Sequence, residues 1–94
     1  MIQVKHIVCY DIKEDAIRSR IVKYLEARAL RIQFSVFTCE ASPAEIRAMR
    51  KELLQMTQSA DHPLLLIVPV CKACEKGIWM YGKALEEDVS FLLV

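Results

Sequence analysis

Eight consecutive apolar residues, Leu64 to Cys71, constrain this chain more than any other stretch. A bilayer-spanning helix needs about 20 such residues, so the run cannot cross a membrane. Its unbroken apolar character instead predicts a fully buried strand from Leu64 to Val70, with Pro69 near the end, where a missing N–H is tolerated. The polar stretch Gln58 to Pro63 precedes it and closes whatever element comes before.

Around that strand the other elements follow from periodicity. Residues Ile2 to Tyr10 alternate, with Ile2, Val4, His6, Val8 and Tyr10 on one face and Gln3, Lys5, Ile7, Cys9 and Asp11 on the other, the pattern of a strand. A helix opening at Glu14 or Asp15 stacks Ile17, Ile21, Tyr24, Leu25 and Arg28 on one side and ends near Ala29. Arg31 to Glu40 is rich in Ile, Phe, Val and Thr and reads as one long strand, or as two short ones kinked near Ser35, because no glycine or asparagine offers a tight turn. Ser42-Pro43-Ala44-Glu45 combines a serine cap, a proline at the first helical position and a glutamate three residues after the cap. The helix it starts buries Ile46, Met49 and Leu53. Ile78 to Tyr81, between Gly77 and Gly82, reads as a further short strand, and Val89 to Val94 as an apolar tail.

Strand, helix, two strands, helix, strand is the order of an α+β, ferredoxin-like βαββαβ sandwich, here expected with an extra C-terminal strand. Ninety-four residues suit one domain, 1–94, and 54% hydrophobic with 27% charged residues excludes a disordered chain. Both helices should cover one sheet face. The other carries Ile7 and Cys9, which together with the apolar tail predicts a homodimer. Met1 leads directly into the first strand with no signal pattern, which points to the cytoplasm and to reduced thiols. Cys9 and Cys39 then read as small packed residues. Cys71-Lys72-Ala73-Cys74 has the spacing of half a zinc site without a second half, and a redox role is disfavoured because no helix is expected to begin there.

The net charge of +1 favours no partner, but its distribution does. Between Ala16 and Phe34 stand Arg18, Arg20, Lys23, Arg28 and Arg31 against Glu26 alone, while Glu86, Glu87 and Asp88 make the end acidic. Arg18 and Arg20 lie about 200° apart around a helix, so they flank a groove rather than grip one phosphate. Asp11 closes the first strand ahead of a polar turn. A carboxylate there serves either as an Asx-type turn or helix cap, or as a ligand for a divalent cation, which takes one or two carboxylates, waters and phosphate oxygens. A twofold dimer would set two Asp11 side chains across a shared groove.

Val8-Cys9-Tyr10-Asp11-Ile12, then Arg18-Ser19-Arg20-Ile21, then Arg31-Ile32-Gln33-Phe34-Ser35-Val36-Phe37 resemble, in that order, the CRISPR-associated endoribonuclease family that accompanies the spacer-acquisition integrase. The resemblance implies a ferredoxin-like homodimer with Asp11 as the catalytic and metal-binding carboxylate, holding Mg²⁺ or Mn²⁺. It implies that Arg18, Arg20 and Arg31 bind nucleic acid, with Tyr10 and Phe37 in support. The implied function is an adaptor of the adaptation complex that bridges integrase subunits and binds duplex DNA, with metal-dependent endonuclease activity on RNA or DNA as the enzymatic side. A toxin-type endoribonuclease of the VapD kind is the alternative. The chain departs from common family forms at Ala29-Leu30, where many members have glycine, and at Thr38, where many have glutamate.

Overall fold

The computed structural model describes residues 2–82. Its elements run β1 (Val4–Asp11), α1 (Asp15–Glu26), β2 (Leu30–Gln33), β3 (Val36–Ala41), α2 (Pro43–Met56), β4 (Leu64–Val70) and a short α3 (Lys72–Glu75). The four strands form one sheet in the order β2-β3-β1-β4, every neighbouring pair antiparallel. Each long helix therefore returns the chain across one intervening strand: α1 carries it from β1 past β3 to β2, and α2 from β3 past β1 to β4. This is the expected ferredoxin-like α+β arrangement.

Both long helices lie on one face, and the core sits there. Ile17, Ile21 and Leu25 of α1 and Ile46, Met49 and Leu53 of α2 cluster with Val8, Tyr10, Phe37, Cys39 and Ala41 of the sheet. Phe37, Ile21, Leu25, Leu53 and Val8 are wholly enclosed, each contributing about 1.5–3 kcal/mol over an exposed side chain. His6 joins this face, its Nδ1 donating to the Val4 carbonyl at 2.8 Å. The alternation along β1 holds: His6, Val8 and Tyr10 are buried under the helices, and Lys5, Ile7 and Cys9 are half-buried on the far side.

The two helix starts differ. Ser42 Oγ accepts from the Glu45 N–H at 3.2 Å while Glu45 Oε1 accepts from the Ser42 N–H at 2.8 Å, a complete capping box. Glu14 holds the cap position of α1 but caps nothing; its carboxylate accepts from the Asp61 N–H at 2.9 Å, tying the β1–α1 loop to the loop before β4. At its other end α1 turns into β2 without glycine. Ala29 N–H and Arg28 N–H both donate to the Leu25 carbonyl, at 2.6 and 2.9 Å.

The segment Arg31 to Glu40 is two strands, joined through Phe34 and Ser35, with a bulge between Arg31 and Gln33. No left-handed residue occurs there. The turn is instead held from outside: Tyr10 N–H donates to the Ser35 carbonyl at 3.2 Å, and Tyr10 Oη and Arg31 both donate to the Phe34 carbonyl.

Three expectations need correction. β4 is not fully buried: it is an edge strand of the described sheet, with Leu64, Leu66 and Val68 54%, 48% and 38% exposed on the far face. An unbroken apolar run reports that both faces avoid water, and it cannot tell a strand covered by its own chain from one awaiting another cover. Ile78 to Tyr81 is not a strand. Ile78 and Met80 instead pack on Ile32 at the β2 side of the far face, while Trp79 and Tyr81 turn outward with rings 6.3 Å apart. A helix does begin at the CxxC segment: Cys71 caps α3, its Sγ accepting from the Cys74 N–H at 3.3 Å. The expected C-terminal strand and the tail Val89 to Val94 lie outside the described residues.

Candidate functional site

Successive residues of a strand point to opposite faces, and this divides the sequence-derived candidates into two groups. Tyr10 turns toward the helices and Asp11 away from them. On the helix side a cavity of about 550 Å³ opens between α1 and the β2–β3 turn, lined by Tyr10, Arg18, Ser19, Val22, Lys23, Glu26, Arg31, Phe34 and Ser35. Three cations face it against one carboxylate. Positions 18, 19, 22, 23 and 26 are one stripe of α1, so Lys23 and Ser19 join Arg18 by helical spacing alone. That signal was present in the sequence, where Lys23 is one of the cations of the basic segment.

Arg31 is the most constrained of the three cations. Its Nε and one terminal nitrogen donate to the Phe34 carbonyl at 3.2 and 2.8 Å, Glu26 lies 3.7 Å away, and its guanidinium stands 5.6 Å from both the Phe34 and Phe37 rings. Tyr10 Oη reaches the same carbonyl at 2.8 Å. Burial pushes the Tyr10 phenol above its ordinary range, with the Arg31 charge opposing, so it is a neutral hydrogen-bond donor at physiological pH rather than a base. Phe37 has no exposure and supports the site from below, its ring 6.3 Å from that of Tyr10.

Arg18 anchors the other rim. It donates to the Ile12 carbonyl at 2.9 Å and the Lys13 carbonyl at 3.3 Å and pairs with Asp15. The side chain thus leans toward the end of β1, as its position suggested, and holds the loop that follows Asp11. Arg20 lies outside the cavity, exposed and without an ion pair among the described residues. One arginine lines the groove and the other stands on a different flank of α1, as 200° of separation requires.

Asp11 is exposed at the end of β1, opposite Leu64 of β4. It does not cap α1, since Glu14 occupies that position. No hydrogen bond or ion pair engages its carboxylate among the described residues. A hard oxygen donor of this kind suits Mg²⁺, which keeps several waters and needs few protein ligands. Among the described residues no three His, Cys, Asp or Glu side chains gather into a metal-binding group, so one chain offers one carboxylate. Glu14 is the nearest neglected acid. It lies in the same loop, with Oε1 buried and unpartnered and Oε2 committed to Asp61.

No helix among the described residues is long and apolar enough to cross a membrane. The family model for CRISPR associated protein Cas2 matches residues 4–78. CRISPR-associated endoribonuclease Cas2 1 of Archaeoglobus fulgidus is 33% identical over 70 residues, 73% of each chain. CRISPR-associated endoribonuclease Cas2 4 of Rhodospirillum rubrum is 31% identical over 85 residues, covering 90% of this chain and 68% of the relative. Among solved structures, Cas2 of Streptococcus pyogenes superposes with a TM-score of 0.69 at 20% identity, covering 83% of this chain and 99% of that one. A chain of a partial Cas6-RT-Cas1–Cas2 complex gives 0.69 at 19% identity, covering 93% and 85%. The match from β1 through the segment after α3, with the fold shared by those structures, places this chain in the Cas2 family.

Proposed function

We propose that the chain works as a homodimeric adaptor of the CRISPR spacer-acquisition complex, bridging integrase subunits and carrying duplex DNA on its basic α1 flank. The observation that carries this reading is the division of labour between the two sheet faces. The helix face is packed by α1 and α2 and includes a cation-lined cavity, whereas the far face leaves Leu64, Leu66 and Val68 exposed beside half-buried Ile7 and Cys9. Contiguous apolar surface of this kind is the ordinary mark of a protein interface. Two copies joined through it would display two basic flanks on one body, suited to a long polyanion. That a similar fold occurs in a partial Cas6-RT-Cas1–Cas2 complex supports an integrase as the further partner.

Duplex binding through phosphates makes affinity fall with salt in proportion to the counterions released. Replacing Arg20 and Lys23 by alanine should therefore flatten the slope of log affinity against log salt while the dimer stays folded. An unchanged slope would mean that α1 presents an ordinary solvated face.

A second reading, metal-dependent phosphodiester cleavage, is favoured by the unengaged Asp11 carboxylate. Two Asp11 side chains brought together across the dimer would hold Mg²⁺ or Mn²⁺; when bound, such an ion supplies charge neutralisation at phosphate oxygens and an activated water. The chain's own part is positional: Arg18 fixes the loop after Asp11 through the Ile12 and Lys13 carbonyls. Asp11→Asn should abolish Mg²⁺-dependent cleavage of RNA or DNA and leave spacer integration with the partner integrase intact. Lost integration by a folded, DNA-binding Asp11→Asn dimer would overturn the adaptor reading, and unchanged cleavage would overturn the metal role.

A further inference from the structure

The CxxC segment is the one chemical motif that the proposed function does not use. Cys71 caps α3 and Cys74 sits in its first turn, both exposed. The Cys74 N–H donates to Cys71 Sγ at 3.3 Å. Residues three apart on a helical turn have Cα atoms about 5 Å apart, inside the roughly 4.4–6.8 Å that a disulfide spans. Cys9 and Cys39 differ, since they lie on β1 and β3 with burial pushing both thiols up.

We propose that Cys71 and Cys74 form a redox-active dithiol that exchanges with small-molecule disulfides of the glutathione class, with Cys71 as the attacking sulfur. The hydrogen bond from the Cys74 N–H to Cys71 Sγ stabilises the Cys71 thiolate and leaves Cys74 as the protonated partner. The thiol shifts agree in direction: the Cys74 N–H lowers Cys71, and the Cys71 side chain raises Cys74. The surrounding charges are Lys72, Glu75 and Lys76 on the α3 segment, with Lys5 of β1 placed 3.5 Å from Glu75 and 2.8 Å from Glu40. The nearest carboxylate on α3 is thus already paired with a lysine.

The exchange balances as follows. The Cys71 thiolate attacks one sulfur of the disulfide RSSR, the S–S bond breaks, and RS⁻ leaves with a mixed disulfide on Cys71. Cys74 then gives its proton to solvent and attacks Cys71 Sγ, releasing the second RS⁻. The protein loses two hydrogens and two RSH form. α3 leads directly from the edge strand into the Ile78–Met80 segment packed on Ile32, so the covalent bond would lock the turn that brings the chain back over the far sheet face.

The test incubates the full chain with oxidised glutathione and maps cysteines by peptide mass. A peptide joining Cys71 to Cys74, lighter by two hydrogens and restored by reduced glutathione, is the expected result. Cys74→Ser should stop at a glutathione adduct on Cys71, and Cys71→Ser, which keeps a good helix cap and hence the fold, should abolish the internal disulfide. Adducts distributed over Cys9 and Cys39 without a 71–74 bond, no oxidation at all, or stoichiometric zinc held by the reduced pair would each overturn the proposal.

Discussion

The two faces of this sheet are built from the same four strands and meet opposite fates. On the helix face every large apolar group of β1 and β3 is covered by α1 or α2, and Phe37, Leu25 and Leu53 lose essentially all contact with water. On the far face Ile32 is covered by Ile78 and Met80, but Leu64, Leu66 and Val68 are not covered by any described residue. One face accounts for why the domain folds, and the other presents apolar surface that no described residue covers.

If that contrast is right, substitutions on the two faces should break different things. Leu53→Ala, on the helix face, removes an enclosed side chain and should cost about 2–5 kcal/mol of folding stability in denaturant unfolding. Leu66→Asp, on the far face, should leave the circular-dichroism spectrum and monomer fold intact while shifting the mass in solution from dimer to monomer. A dimer unaffected by Leu66→Asp would remove the far face as the interface and with it the pairing of two Asp11 residues.

Smaller effects sharpen the comparison on the helix side. Tyr10→Phe deletes the phenol donor to the Phe34 carbonyl, which Arg31 still serves, so the expected loss is about 0.5–1.5 kcal/mol. A larger loss would mean that the Tyr10 hydroxyl, not Arg31, holds the β2–β3 turn. Smallest is the acid response of the α2 cap. The Ser42 N–H, followed by the Ser42 and Gln3 side chains, holds the Glu45 carboxyl below its ordinary value. The contribution is therefore complete above about pH 4.5 and lost as pH falls through the lower folded value. The stability difference between the chain and its Glu45→Gln variant should shrink over that acid range, and a difference independent of pH would assign the cap to Ser42 Oγ alone.

Much of the site was legible for a local reason. Tyr10 and Asp11 follow from the alternation of β1, and Arg18 and Arg20 from helical spacing, because side-chain direction is set by backbone geometry within a few residues. What Arg31 does was not legible. Its partner is a carbonyl in a turn closed without glycine, stabilised by Tyr10 from 24 positions away, and no local pattern encodes such a contact. The helix at Cys71 escaped for a similar reason: four residues carry too little periodicity to announce a helix, and its cap is a cysteine rather than the usual Ser, Thr, Asp or Asn.

The sequence by itself determined the element order from β1 to β4, both main helices with their buried stripes, the capping box at Ser42, and the exposure of a second apolar face, since all of these rest on periodicity and on near-neighbour hydrogen bonding. Only the tertiary structure decided that β4 is an edge strand of the described sheet, that Tyr10 and Asp11 lie on opposite sides of that sheet, and that Arg18 joins Arg31 across a cavity while Arg20 does not. Hydrophobic pattern states which groups must leave water. It does not state which surface will receive them, because burial is satisfied equally by the chain's own helices or by another molecule.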